Sequence, residues 1–177
     1  VNQLLDFRKL DQQKVQLSLS YGDITEFIAE TCKSFKALSQ KHNIELKVCI
    51  NTSKIEMDFD RNKVQRIISN LLSNAIKFTE SGGVSLTTDY DDGLLRLIVE
   101  DTGTGMTEEE QQRVFSAFER LANAAAKDGF GLGLSIVQRI VTMLGGTIWL
   151  ESEKGKGSRF TVEIPMQTAE ELPERIN

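Results

Sequence analysis

The chain has 177 residues, with 21 Lys and Arg against 26 Asp and Glu, one histidine, two cysteines and a formal net charge of −5. One histidine and two cysteines exclude a zinc finger, a histidine-rich metal site and a disulfide-stapled scaffold. The acidic balance argues against a nucleic-acid partner, whose groove wants the opposite sign. With 40% hydrophobic and 27% charged residues, the chain suits one globular domain with short appendages. No apolar run approaches the ~20 residues that span a bilayer, so no direct membrane contact is expected. No secretory leader opens the sequence. Cys32 and Cys49 fall in periodic apolar segments and are expected to be buried free thiols in a reducing cytoplasm. The opening on Val1, in mid-pattern, reads as the start of a fragment cut from a longer protein.

Residues 1–12 carry Val1, Leu4, Leu5 and Phe7 at helical spacing, too few for a stable helix alone, and read as the end of a longer one. Val15, Leu17, Leu19 and Tyr21 alternate with polar residues as a strand that Gly22 breaks. Asp23 with Glu26 resembles a capping box, opening one amphipathic helix from Ile24 to Leu38. Two strands follow, Ile44–Ile50 and Ile55–Phe59. Asp60 is placed to cap a helix whose apolar face runs from Val64 to Ile76.

Val84–Tyr90 and Leu94–Val99 flank Asp91-Asp92-Gly93 as a hairpin. Thr107 and Glu110 form a capping box for a short acidic helix. Residues 119–130 lack a core stripe, and residues 132–144 form a helix stopped by Gly145-Gly146. A last hairpin carries Ile148 and Leu150 opposite Phe160, Val162 and Ile164, and Pro165 ends it. The tail, residues 167–177, is a polar, acidic linker. Strands, helices and hairpins in this order predict an α/β two-layer sandwich, a mixed sheet packed on one layer of helices.

Three segments carry chemistry. On the helix from Arg61, at about 100° per residue, Asn70, Asn74 and Lys77 fall within roughly 60° of one another, away from the core stripe. Taken alone, such a stripe reads first as a solvated face. Two amides and an ammonium side by side also suit a hydrated Mg²⁺ and a polyphosphate. Asp101-Thr102-Gly103-Thr104-Gly105 follows a strand end, so a carboxylate stands where backbone closely approaches a flat ligand. A lone D-x-G-x-G is weak and equally describes a Gly-rich turn. Gly129-Phe130-Gly131-Leu132-Gly133-Leu134 opens a helix, where free N–H groups favour an anion. It is neither a dinucleotide fingerprint nor a Walker A loop. The protein-kinase motifs H-R-D and D-F-G do not occur.

In order and spacing, NLLSNAIKFT, DTGTGM, VFSAFER and GFGLGLSIV closely resemble the N, G1, F and G2 boxes of the catalytic and ATP-binding domain of sensor histidine kinases. The resemblance covers about residues 14–165 and extends to the superfamily of gyrase, Hsp90 and MutL. It implies the Bergerat (GHKL) fold over 13–166, with 1–12 ending a dimerisation and phosphoacceptor helix. It implies ATP and Mg²⁺, with Asn74 on the metal and Asn70 supporting metal and phosphates. By the same resemblance, Lys77 and Arg120 contact phosphate, and Asp101 binds the adenine amine. Gly103, Gly105, Phe118 and Leu134 belong to the nucleotide pocket. Gly129, Gly131 and Gly133 hinge a lid over 119–130, and Ser158 backs Asp101 through water.

Hydrolysing members and related serine kinases carry a Glu as general base where this chain has Asn70. An amide takes no proton, so the family pattern here favours transfer to histidine. His42, in Lys41-His42-Asn43, lacks the following acidic residue of an acceptor and reads as a surface loop residue. The implied acceptor therefore lies on a separate histidine-bearing dimerisation domain, with a response-regulator receiver domain as the next partner. The parent is expected to be a homodimeric sensor with this part in the cytoplasm, and the isolated chain a monomer. Two alternatives stand beside this: an ATPase or serine kinase of the same superfamily, and a non-catalytic nucleotide-binding signalling module.

Overall fold

Alternating burial organises five strands into one mixed sheet. The structure, a computed structural model, describes residues 17–114 and 132–166. The strands β2 (Glu45–Ile50), β4 (Gly83–Asp91), β5 (Leu94–Asp101), β6 (Thr147–Glu153) and β7 (Gly157–Pro165) lie in the order β2-β4-β5-β7-β6. Among the described strands, only β2 and β4 are parallel neighbours. A parallel pair needs a crossover, and β3 (Glu56–Phe59) with α3 (Arg61–Lys77) supplies it. Along β5, Leu95, Leu97 and Val99 are buried while Arg96 and Glu100 are exposed, so one face meets helices and the other meets solvent.

The helical layer consists of α1 (Ile24–Lys33), α3 and α5 (Leu132–Met143), with α3 touching both others as well as β4 and β5. This is the two-layer sandwich expected. Val64, Ile67, Ile68, Leu71, Leu72, Ala75 and Ile76 of α3 are all buried. Each larger side chain among them stabilises by roughly 1.5–3 kcal/mol, so packing holds α3 and leaves its opposite face free for polar residues. Short helices α2 (Lys36–Lys41) and α4 (Glu108–Arg113) complete the described helices. The Thr107–Glu110 capping box is present. Asp92 and Gly93, with φ of 52° and 77°, form the two-residue hairpin turn between β4 and β5. None of the described helices is long and apolar enough to cross a membrane.

Four local expectations are corrected. Strand β1 (Ser20–Asp23) starts later than expected and includes Gly22, which pairs with Met57 in a separate two-stranded sheet with β3. A Cβ at Gly22 would stand 2.1 Å from the Arg61 guanidinium, so glycine there makes room for a clamp rather than ending the strand. Arg61 stacks over Phe59 and Phe27, at 4.8 and 5.3 Å, and donates to Ser20 Oγ and the Tyr21 carbonyl. The expected single helix is two, broken at Ser34–Phe35. There the Ser34 hydroxyl donates to the Thr31 carbonyl at 2.7 Å and the Phe35 N–H to Cys32. Asp23 caps α1 through the Thr25 N–H at 3.0 Å and also accepts from the Glu26 N–H, so only half of the expected box forms: among the described bonds none returns from the Glu26 side chain. Cys32 is buried, but Cys49 is exposed because its register on β2 turns it to the open face of the sheet. Residues 1–12 and 167–177 lie outside the described residues.

Asp60 caps α3 as expected and also fastens the entering chain. Its buried carboxylate accepts from the Lys63 N–H at 3.1 Å, the Lys63 ammonium at 3.0 Å and the Ser18 N–H at 2.9 Å. Burial pushes this carboxyl up, but those donors together outweigh it and hold it below the usual carboxylate range. A depressed folded value stabilises above the unfolded one, and that stabilisation is lost as pH falls through the folded value. Asp60→Ala is therefore expected to cost about 2 kcal/mol at neutral pH. Urea unfolding should show its deficit against the parent shrinking once pH drops below the ordinary carboxylate range.

Candidate functional site

The amide face of α3, the loop after β5 and the first turn of α5 converge on one cleft. Asn74, Ala75, Phe78, Asp101, Thr104, Gly105, Met106, Leu134, Ser158 and Phe160 line it, around about 350 Å³ of empty space including its mouth. Asn74 is half-buried. Asn70, one turn earlier and also half-buried, donates its amide N–H to the Arg66 carbonyl at 2.8 Å. That bond orients the amide: a Cβ at Gly133 would stand 2.9 Å from Asn70 Oδ1, so the oxygen is turned toward the start of α5. Lys77 is exposed one turn beyond Asn74, outside the cleft lining.

Asp101 ends β5 at the cleft wall. Its carboxylate accepts from the Gly103 N–H at 2.9 Å and from the Ser158 N–H across the sheet. Burial is the larger influence and pushes the carboxyl above its ordinary range, while the two N–H groups pull it back. A carboxylate so placed, with two lone-pair directions already used, is an acceptor for a donor inside the cleft.

The loop after Asp101 is held on both sides. The Thr104 N–H donates to the Phe78 carbonyl at 3.3 Å, and the Gly155 N–H to the Thr104 carbonyl at 2.7 Å. The Met106 N–H donates to Ser152 Oγ at 2.8 Å. Gly103 and Gly105 are both required by close approach. A Cβ at Gly103 would stand 2.4 Å from the Phe78 carbonyl oxygen. Gly105 has φ +68°, and a Cβ there would meet the Glu153 carbonyl oxygen at 2.0 Å.

Asn74, Asp101, Gly105, Leu134 and Ser158 thus share the cleft. Asn70, Gly103 and Gly133 stand directly around it, and Lys77 is exposed outside its lining. Phe118, Arg120, Gly129, Gly131 and the expected lid over 119–130 lie outside the described residues. His42 is exposed beyond the end of α2, as expected. Sequence reasoning missed Phe78, Met106 and Phe160 as cleft lining, and Ser152 and Gln111 as its braces. Gln111 donates to the Met106 and Ser152 carbonyls, both at 3.0 Å. Its place one residue after the capping-box Glu110 was the only local hint.

The family model described as histidine kinase-, DNA gyrase B- and HSP90-like ATPase matches residues 59–168. The chain belongs to this family. The matched stretch contains α3, the Asp101 loop and α5, which are the elements around the cleft. Sensor protein EvgS of Escherichia coli K12 is 31% identical over 179 residues, covering 97% of this chain and 15% of EvgS. Histidine protein kinase DivJ of Caulobacter vibrioides is 32% identical over 171 residues, covering 96% of this chain and 29% of DivJ. The chain therefore spans under a third of the length of these relatives. Full-length ShkA in complex with AMPPNP superposes with a TM-score of 0.83 at 33% identity, covering 95% of this chain and 35% of ShkA. The nucleotide-free catalytic domain of histidine kinase ThkA superposes at 0.73 and 29% identity, covering 84% of this chain and 98% of that domain. Over almost its whole length the chain is thus similar to one part of proteins named as sensor histidine kinases.

Gly105→Ala is expected to destabilise the domain by at least about 1 kcal/mol, through both the positive φ and the collision with the hairpin. Thermal unfolding should show the loss, and nucleotide titration should show weaker binding at temperatures where the variant stays folded.

Proposed function

We propose that this chain is the phosphoryl-donor part of a sensor histidine kinase on the cytoplasmic side of a membrane-anchored, dimeric parent. It binds ATP with Mg²⁺ and transfers the γ-phosphoryl group to a histidine on a separate dimerisation domain. From there the group passes to a response-regulator receiver domain. The observation that carries this reading is the ionisation pattern of the cleft. Among the described residues lining it, Asp101 is the one ionisable group, and it is occupied by the Gly103 and Ser158 N–H groups at the base end.

In this reading Asp101 accepts the exocyclic amine of adenine, and Gly105, Met106 and Leu134 enclose the ring. The polyphosphate runs toward Asn74, Asn70 and the N-terminus of α5, where backbone N–H groups favour anions. The donor set fits a magnesium ion: Asn70 and Asn74 offer neutral amide oxygens, and phosphate and water complete the shell. Among the described residues no group of three or more His, Cys, Asp or Glu could hold a metal alone, so metal and nucleotide would bind together. Mg²⁺ would neutralise charge on the transferring phosphoryl group. Lys77 would add to that neutralisation. Arg120, Phe118, Gly129 and Gly131 are assigned by family resemblance.

An attacking imidazole nitrogen uses a lone pair it already has. As the new N–P bond forms, the bond from the γ-phosphorus to the bridging oxygen breaks, and ADP leaves with that electron pair. No proton has to leave the attacking nitrogen, so Asn70 in place of a general base costs this reaction nothing. Water or a serine hydroxyl would need that base. The chain's work is positioning and charge neutralisation.

Mixing this chain with a histidine-bearing hairpin domain of its parent and γ-labelled ATP tests the proposal. The expected product is an acid-labile, alkali-stable label on histidine. Label on serine, or steady hydrolysis by the chain alone at the same rate, would overturn it. Asp101→Asn is expected to weaken ATP binding at neutral pH by at least about tenfold, since a charged acceptor is lost. In the parent chain, affinity should fall as pH drops into the upper carboxylate range and Asp101 gains a proton. Calorimetric titration of Asp101→Asn over the same range should stay flat.

A further inference from the structure

Asp101, Ser158 and Ser152 stand opposite one another on β5, β7 and β6, in one row beneath the helical layer. Ser152 lies outside the cleft lining, yet three groups converge on its hydroxyl. The Met106 N–H donates to it at 2.8 Å, and the Gly157 carbonyl lies at 2.9 Å. Ser158 Oγ lies at 2.8 Å. A serine hydroxyl has one proton and two lone pairs. The Gly157 carbonyl only accepts, so it takes the Ser152 proton. One Ser152 lone pair takes the Met106 N–H. The second is left for Ser158, which must therefore donate. Ser158 lines the cleft and is 7% exposed. With its proton committed to Ser152, it turns only lone pairs toward a ligand.

We propose that Ser152 is a specificity-determining positioning residue: by fixing the direction of the Ser158 hydroxyl, it makes Ser158, like Asp101 beside it, accept hydrogen bonds from a ligand rather than donate them. Asp101 as a carboxylate already only accepts. Two acceptors side by side suit an edge that presents an exocyclic amine, directly or through a water that donates to Ser158. Adenine presents its 6-amine there. Guanine presents a carbonyl oxygen in the same place, facing lone pairs it cannot satisfy. A hydroxyl free to rotate would turn its proton to that oxygen and erase much of the discrimination. This inference rests on the base-binding reading of Asp101.

The test is a set of dissociation constants for AMP-PNP and GMP-PNP with Mg²⁺, measured on the 177-residue chain and its variants. The quantity read is the ratio of the two constants. Ser152→Ala should lower adenine preference by about fivefold or more, the worth of one net hydrogen bond. Ser152→Thr, which keeps the hydroxyl, should preserve it. In a Ser158→Ala background, Ser152→Ala should leave the ratio unchanged, because no hydroxyl remains to turn. General loosening of the loop would weaken both ligands and would persist in that background. If Ser152→Ala does not fold, Ser152→Cys, a weaker partner of similar size, should shift the ratio the same way.

An unchanged ratio in folded Ser152→Ala or Ser152→Cys overturns the proposal, and so does an equal shift with and without the Ser158 hydroxyl. Asp101→Asn is the separate control. If it binds AMP-PNP as tightly as the parent chain, the base-binding reading itself fails, whatever the Ser152 variants do.

Discussion

The docking of the β6–β7 hairpin onto the loop that follows β5 is the contact on which the cleft depends. That loop starts directly after Asp101 and contains the two glycines, and few of its backbone groups lie in regular ladders. Isolated, it would have no fixed shape. The hairpin gives it one, through Gly155 on Thr104, Ser152 on Met106, and the Glu153 carbonyl packed where only a glycine fits. The Lys154–Glu110 ion pair at 3.3 Å ties the same hairpin to α4, but both side chains are partly exposed and it adds little. Backbone and hydroxyl bonds decide the geometry.

The other wall is set by α3. Its core stripe fixes rotation about its own axis, and that rotation decides where Asn70 and Asn74 point. The clamp at its N-terminus works at the opposite end. Asp60 and Arg61 together hold Ser18, Ser20 and Tyr21 against the start of α3. The chain entering the domain is therefore fastened to the helix that carries the amide pair. Sheet, loop and helix meet where a ligand needs an acceptor at one end and amide oxygens at the other.

Local periodicity made much of this legible. The stripe from Val64 to Ile76, the Asp92-Gly93 turn and the Thr107–Glu110 box each depend on residues within a few positions, and each stands where the sequence placed it. What stayed hidden depends on distant partners. Gly22 looked like a strand breaker because its reason, the Arg61 guanidinium, lies 39 positions on. Cys49 looked buried because alternation alone does not say which face of β2 is covered. The parallel pairing of β2 with β4 is a tertiary fact. Asp101 was legible as a strand-end carboxylate among glycines, whereas Ser152 reaches Met106 across 46 residues and carries no motif of its own.

In the proposed binding mode the carboxylate of Asp101 reads the base while the amide face of α3 meets the phosphates. A crystal structure of this chain with AMP-PNP and Mg²⁺ tests it most directly. The adenine 6-amine is expected within about 3 Å of an Asp101 carboxylate oxygen, with the phosphates beside Asn74 and Asn70. A nucleotide bound in the cleft in the opposite sense, with phosphates at Asp101, or bound elsewhere with this cleft empty, would contradict it.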